Sequence, residues 1–255
     1  MIGDMLREWR RIRGRSQLEL ALDAGVSARH LSFLESGRSQ PSREMVLRLG
    51  EALGLPLRER NTMLVAAGYA PRYGAGSLEA AALDEVRATL AMMLDAHDPY
   101  PAIALDAGFH VISSNPGFRK LLEALGLAAD EQPNLVELVF RPGPMRSAIL
   151  NWPEVAAYMS HRLRESLRVR GSASPLRPQF EQALAQPGVA EAVRAAGTVG
   201  NRPVVPVTLQ IGGETSSWIT TVTTFGAPQD VFVEELMIEQ FFPADASRGR
   251  GGGGD

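Results

Sequence analysis

The chain has 255 residues, 45% of them hydrophobic, and a formal net charge of −3, which is room for one large domain or two modest ones with a real core. It contains no cysteine, which excludes disulfides and thiolate zinc sites and fits a reducing compartment. No N-terminal segment joins a basic start to an apolar run, and no apolar run nears the roughly 20 residues that span a bilayer, so a cytoplasmic chain with no membrane insertion is expected. The charge is unevenly placed. Residues 1–62 carry 11 arginines against 8 acids, and the remainder carries 15 basic residues against 21 acids. A basic head on an acidic body implies that only the head meets nucleic acid.

In the head, Leu6, Trp9 and Ile12 form a helical stripe flanked by arginines. Ser16 reads as an N-cap, with Glu19 three residues on as a capping box. The helix Gln17–Ala24 is expected to turn Leu18, Ala21 and Leu22 inward. Gly25 supplies the positive φ that ends it, and Val26 plugs the corner. Ser27 caps the next helix, with Leu31 and Leu34 inward, and Gly37 closes it. Ser42 caps a fourth helix with Val46, Leu49 and Leu53 on its core face. Pro56 opens a fifth, carrying Leu57, Met63, Leu64 and Ala67.

Two capped helices joined by a glycine turn, with the small Ala21 where they cross, make a helix-turn-helix. The stretch "SQLELALDAGVSARHLSFLESGRSQPS" resembles the XRE/Cro-type helix-turn-helix family over about the first 70 residues. The partner so implied is double-stranded DNA, with the second helix in the major groove. Ser27, Ala28, Arg29, His30, Ser32 and Phe33 then face base edges. Arg29 suits guanine and Ala28 a thymine methyl. Gln17, at a helix N-terminus, and Arg38 are candidates for phosphate. Phe33 is either a base contact or part of the core or a dimer contact. Glu35, which phosphate would repel, is expected to be structural and to tie down the loop after its helix.

"AAGYAPRYGAGSL", residues 66–78, marks a boundary. A helix is expected from about Glu79 to Ala96, with Leu83, Val86, Leu90, Met93 and Leu94 on one stripe that serves as a spacer or as a homodimer seam. "AIALDAGFHVISSN" reads as two strands around a turn at Asp106–Gly108. Asn115 and Pro116 then open the helix "PGFRKLLEALG". A helix-rich middle follows, through "NLVELVF", "MRSAIL", "WPEVAAYMSHRLRESLRVR", "RPQFEQALAQ" and "VAEAVRAAG". Strands return at "VVPVTLQIG" and "SSWITTVTTFG", then one helical turn at "DVFVEEL" and a last strand at "MIEQFFP". The expected fold class is an all-α helix-turn-helix domain of five helices followed by an α+β PAS-like domain with an antiparallel sheet. Its divisions are 1–71 for the head, 72–98 for the linker and connecting helix, 99–245 for the body, and 246–255 for a Gly-rich, disordered tail.

The four histidines show no metal-ligand spacing, there is no HExxH, and no GxSxG or GxGxxG precedes a helix, so no metal, no catalytic residue and no enzyme are expected. His97–Asp98 is either a pair or a helix end where a cation complements the dipole. In the body, "HDPYPAIALDAGFHVISSNPGF", "NLVELVF" and "TTFGAPQDVFVEELMIEQFFPAD" resemble the ligand-binding domain of MmyB-type transcription regulators. That resemblance implies a PAS-like body able to hold a fatty-acid-like molecule, and hence a small apolar ligand as partner, with no other cofactor. Candidate ligand contacts are Phe118, Phe140, Trp152, Met159 and Leu163, each of them otherwise core. Asn115 is a helix cap or a ligand contact. Arg146 and Arg162 are exposed or grip a ligand carboxylate. The alternative is a body that only dimerises the head or docks a partner protein.

Overall fold

The chain is described from a computed structural model, which covers residues 1–128, 133–171, 174, 176–195 and 204–244. The expected tail at 246–255 lies outside the described residues. Contacts divide the chain into two units. The first is Met1–Ser77 with Leu167–Ser174 and Ala227–Glu234, and the second is Leu78–Ser166 with Pro175–Gly226 and Glu235–Asp255.

The first unit opens with α1 (Ile2–Ile12), α2 (Gln17–Asp23), α3 (Ala28–Glu35), α4 (Arg43–Ala52) and α5 (Leu57–Ala66). The caps expected from sequence are present. Ser16 Oγ accepts the Glu19 N–H at 3.2 Å while Glu19 Oε2 accepts the Ser16 N–H at 2.7 Å. Ser27 and Ser42 cap α3 and α4 through the N–H groups of His30 and Met45. Gly25, at φ 65°, turns α2 into α3, with its N–H on Leu22 O and the Val26 N–H on Ala21 O. This paired back-bonding satisfies the last carbonyls of α2, and a residue with Cβ would be strained there.

One expectation fails in α2. Ala21 is buried as expected, but Leu18 and Leu22 are 60% and 70% exposed, and Leu20 and Ala24 are buried in their place. A seven-residue helix crossing close to its neighbour buries only one narrow face. Leu20 and Ala24, an i, i+4 pair, centre that face with Ala21 at its edge, and the pair Leu18 and Leu22, offset by two residues, turns outward. The contact of α1 with α3 is closer still. A Cβ on Gly3 would lie 2.5 Å from Leu34 O and 2.8 Å from Glu35 O.

The chain after α5 stays bonded to it. Asn61 Oδ1 accepts the N–H groups of Arg72 and Tyr73, at 2.9 and 3.1 Å, and its Nδ2 donates to Tyr73 O at 2.9 Å. These bonds hold the segment after residue 71 to α5, so the first unit extends to Ser77.

The second unit begins with a 3-10 turn at Ala81–Leu83 and then α6 (Asp84–Asp95), a later start than Glu79. Leu83, Leu90 and Leu94 are buried within the chain. Val86 and Met93 of the same stripe are half-buried. Next come β1 (Ala102–Leu105), β2 (Val111–Ser114), α7 (Pro116–Ala124), α8 (Leu135–Phe140), α9 (Pro144–Ala148), α10 (Trp152–Arg170), α11 (Arg177–Leu184) and α12 (Val189–Ala195). The chain closes with β3 (Val207–Ile211), β4 (Glu214–Thr223), α13 (Val231–Glu235) and β5 (Met237–Pro243). The five strands form one antiparallel sheet in the order β2-β1-β5-β4-β3. The last strand inserts at the centre, so the sheet closes only when the far end of the chain returns. Ile149 bridges Leu209, and Asn151 bonds Pro206 O and the Thr208 N–H, which lays the segment after α9 along the outer edge of β3.

Candidate DNA-facing surface and candidate ligand cavity

On α3 the inner face is Leu31 and Leu34, both fully buried. The outer face carries exposed Arg29 and half-buried Ser32 and Phe33, with Ala28 and His30 half-buried at its start. Phe33 is not among the buried core residues. Its ring lies 5.4 Å from the Arg29 guanidinium and 6.0 Å from that of Arg38. Arg38 is brought there by the end of α3. The Gly37 N–H bonds Leu34 O at 3.1 Å and the Arg38 N–H bonds Phe33 O at 2.9 Å. The backbone thus folds Arg38 back over the helix it follows. Two cations beside one aromatic face are held electrostatically, and ordering them lowers the entropy lost on binding.

Glu35 is 3% exposed and forms the polar centre behind this surface. Arg10 grips it bidentately, Nε on Oε1 at 2.6 Å and Nη2 on Oε2 at 3.0 Å. Gln17 Nε2 also donates to Oε2, at 2.8 Å, and Arg7 Nη2 donates to Glu35 O at 2.6 Å. Burial raises the Glu35 pKa, but the hydrogen bonds from Arg10 and Gln17 and the charges of Arg10 and Arg7 outweigh it, leaving the carboxyl below its ordinary value. The same bond raises the Arg10 pKa, against desolvation. Glu35 therefore ties α3 to α1 and α2, rather than tying down the loop after its helix. Gln17 spends part of its side-chain amide on Glu35, while its backbone N–H stands at the first turn of α2. Sequence reading missed this centre, because Arg10 and Glu35 are 25 residues apart.

In the second unit a cavity of about 60 Å³ lies between the helical insertion and the sheet. A water needs about 10–15 Å³ of such space, so there is room for several water-sized groups. Phe118 and Leu121 of α7, Leu135 and Val139 of α8, and Met145 of α9 form one side. Val155, Tyr158 and Met159 of α10 form another. Leu209, Thr220, Glu239 and Phe241 line it from β3, β4 and β5. Thr220 stands opposite Phe241 in the register of β4 and β5, so both point to the same face of the sheet.

Of the eight candidate ligand contacts, Phe118 and Met159 lie in this wall, and Asn115, Phe140, Arg146, Trp152, Arg162 and Leu163 do not. Asn115 is 1% exposed and fully engaged. Its Oδ1 accepts the N–H groups of Ala102 and Phe118, at 2.9 and 3.0 Å, and its Nδ2 donates to Tyr100 O and Leu94 O, at 2.7 and 3.3 Å. Phe140 and Leu163 are core, both 0% exposed. Trp152 donates Nε1 to Val139 O at 2.8 Å, and the Arg146 guanidinium stacks on its ring at 3.7 Å. Arg146 in turn donates to Phe140 O and Pro187 O, both at 2.7 Å, and its burial lowers its pKa. This pair braces the backbone behind Val139 and Met145. Arg162 is bonded to Glu239 at 2.8 Å. Neither arginine presents a free guanidinium to the cavity. Glu239 was overlooked, although in "MIEQFFP" the strand period of two puts it on one face with Met237 and Phe241.

His97 and Asp98 do not act as a pair. His97 Nε2 lies 2.9 Å from Phe241 O and its ring meets Phe242 edge-on at 4.7 Å, while Asp98 Oδ1 accepts the Gly117 N–H at 3.1 Å. Among the described residues no group of three His, Cys, Asp or Glu could hold a metal ion, and no helix is long and apolar enough to cross a membrane.

Comparison with known proteins assigns both parts. Residues 6–60 match the helix-turn-helix family. Residues 86–250 match the ligand-binding domain of MmyB-like transcription regulators. The transcriptional regulator ClgR of Mycobacterium tuberculosis, from two strains, is 40% identical over 68 residues, covering 27% of this chain. The chain spans 58% of the length of those curated relatives. With most of its length matched by one family model and its head by a second, the chain belongs to the MmyB-like helix-turn-helix transcription regulators.

Proposed function

We propose that this chain binds operator DNA as a homodimer in the cytoplasm and carries no enzymatic activity, and that a lipid-like apolar molecule, held in its body, sets its affinity for DNA. The cavity between the helical insertion and the sheet carries this reading. Its wall is almost wholly apolar, and it lies between the helical insertion and the sheet. Each methylene moved there from water contributes about 0.8 kcal/mol, so the end of a carbon chain that fills the cavity is held with only a weak polar anchor. On the DNA side, Arg29 reads guanine, Arg38 and the first turn of α2 hold phosphate, and Phe33 steadies both arginines.

Regulation requires the ligand to prefer one arrangement of the head over another, since equal affinity shifts nothing. The strands β4 and β5, which line the cavity, run directly into residues 227–234, which belong to the first unit. The test is to select DNA from a random pool with the full chain, then to measure affinity for the selected site with the protein delipidated and with it loaded with acyl lipid. A change in operator affinity on loading is expected. Uptake without such a change leaves a passive lipid carrier. No uptake at any chain length leaves the body as a dimerisation or docking module.

A further inference from the structure

The wall of the cavity includes an acid. Among the described residues of the wall, Glu239 is the charged one, and it is 4% exposed. Its Oε2 receives Arg162 Nη1 at 2.8 Å, while Oε1 accepts no hydrogen bond from any described residue. Arg162 is not part of the wall. Its Nη2 lies 3.8 Å from Met237 Sδ and its guanidinium 5.1 Å from the centre of the Phe109 ring. The other wall side chains that carry a hydroxyl, Tyr158 and Thr220, are neutral.

An apolar tail brings its head group into this space, and the head must find a partner there or lose its hydration without return. A carboxylate would stand beside a second carboxylate where little water screens them. An ammonium would bring a charge that nothing balances, because Arg162 already neutralises Glu239. A hydroxyl donates its proton to Oε1 and stays neutral. We propose that the ligand of this cavity is an apolar molecule ending in a neutral hydrogen-bond donor, a long-chain alcohol or hydroxy-lipid, whose hydroxyl donates to Glu239, and that a free carboxylate is disfavoured. This rests on the cavity being the ligand site.

The experiment is calorimetric titration of the delipidated full chain at neutral pH with four probes of equal tail: decan-1-ol, methyl decanoate, decanoate and decylamine. Decanol is expected to bind about tenfold tighter than the ester, as one hydrogen bond to a charged acceptor implies, with decanoate weakest. Glu239→Gln, which leaves Arg162 without its carboxylate, is expected to reverse the order of decanol and decanoate. If that variant does not fold, the wild-type ranking decides alone. Decanoate or decylamine binding more tightly than decanol overturns the proposal, as do four equal affinities, which leave the cavity a ligand site without head-group selection. No binding by any probe removes the ligand site itself.

Discussion

At the residue scale, Glu35 and Arg29 have different work. Glu35 is buried and held by Arg10 and Gln17, so Glu35→Gln leaves Arg10 without its charge partner and is expected to cost about 3 kcal/mol, measured by denaturant unfolding. A carboxyl whose folded pKa is depressed adds stability above its unfolded value, near pH 4.3. That stability is lost as pH falls through the lower folded value. The wild-type melting temperature should therefore drop in that acid window, and Glu35→Gln should start lower and follow a flatter curve. Arg29→Ala is expected to leave folding intact, since the side chain is exposed. It should cost about 1–3 kcal/mol on the selected DNA site and relax the preference at one base pair, read by fluorescence anisotropy on a panel of point-substituted sites. Arg38→Ala should weaken all sequences alike and reduce the slope of log affinity against log salt by about 1.

At the scale of elements, two junctions hold the fold. Gly3 lets α1 approach the end of α3 until a Cβ would collide with backbone carbonyls rather than with a movable side chain. Gly3→Ala is expected to lose about 1–3 kcal/mol by overpacking, although alanine favours helix, and the loss should appear as a lower denaturation midpoint at constant slope. Asn115 is the corresponding joint in the second unit, where one amide caps α7 and bonds the start of β1 and the end of α6. Asn115→Ala removes a helix cap and leaves buried backbone groups unpaired, a cost of at least about 2 kcal/mol. A variant as stable as the wild type would show that water or a shifted backbone replaces those bonds.

At the scale of the whole molecule, one recognition helix reaches only a few base pairs, so a dimer on two half-sites about one helical turn apart is expected. Light scattering on the free protein and on its selected site checks this. A single copy in both states contradicts it. Leu90 and Leu94 of α6 are buried within the chain, so the pairing must use other side chains than these.

Local patterns were legible in the sequence because their causes are local. Ser16, Ser27, Ser42 and Asn115 cap helices through the N–H group three residues on, and Gly25 turns the chain by its own backbone freedom. The five strands and the helical insertion followed from period and length. Residues far apart in the chain were not legible in this way. The grip of Arg10 and Gln17 on Glu35, the outward turn of Leu18 and Leu22, and the hold of Asn61 on the linker each depend on how helices cross. The composition of the cavity wall depends on β5 inserting between β1 and β4. Amphipathic period tells that a side chain faces inward but not whether it meets another side chain or empty space. Packing decided that Phe118 and Met159 line a cavity, that Trp152 and Arg146 brace it from behind, and that its charged wall residue is Glu239.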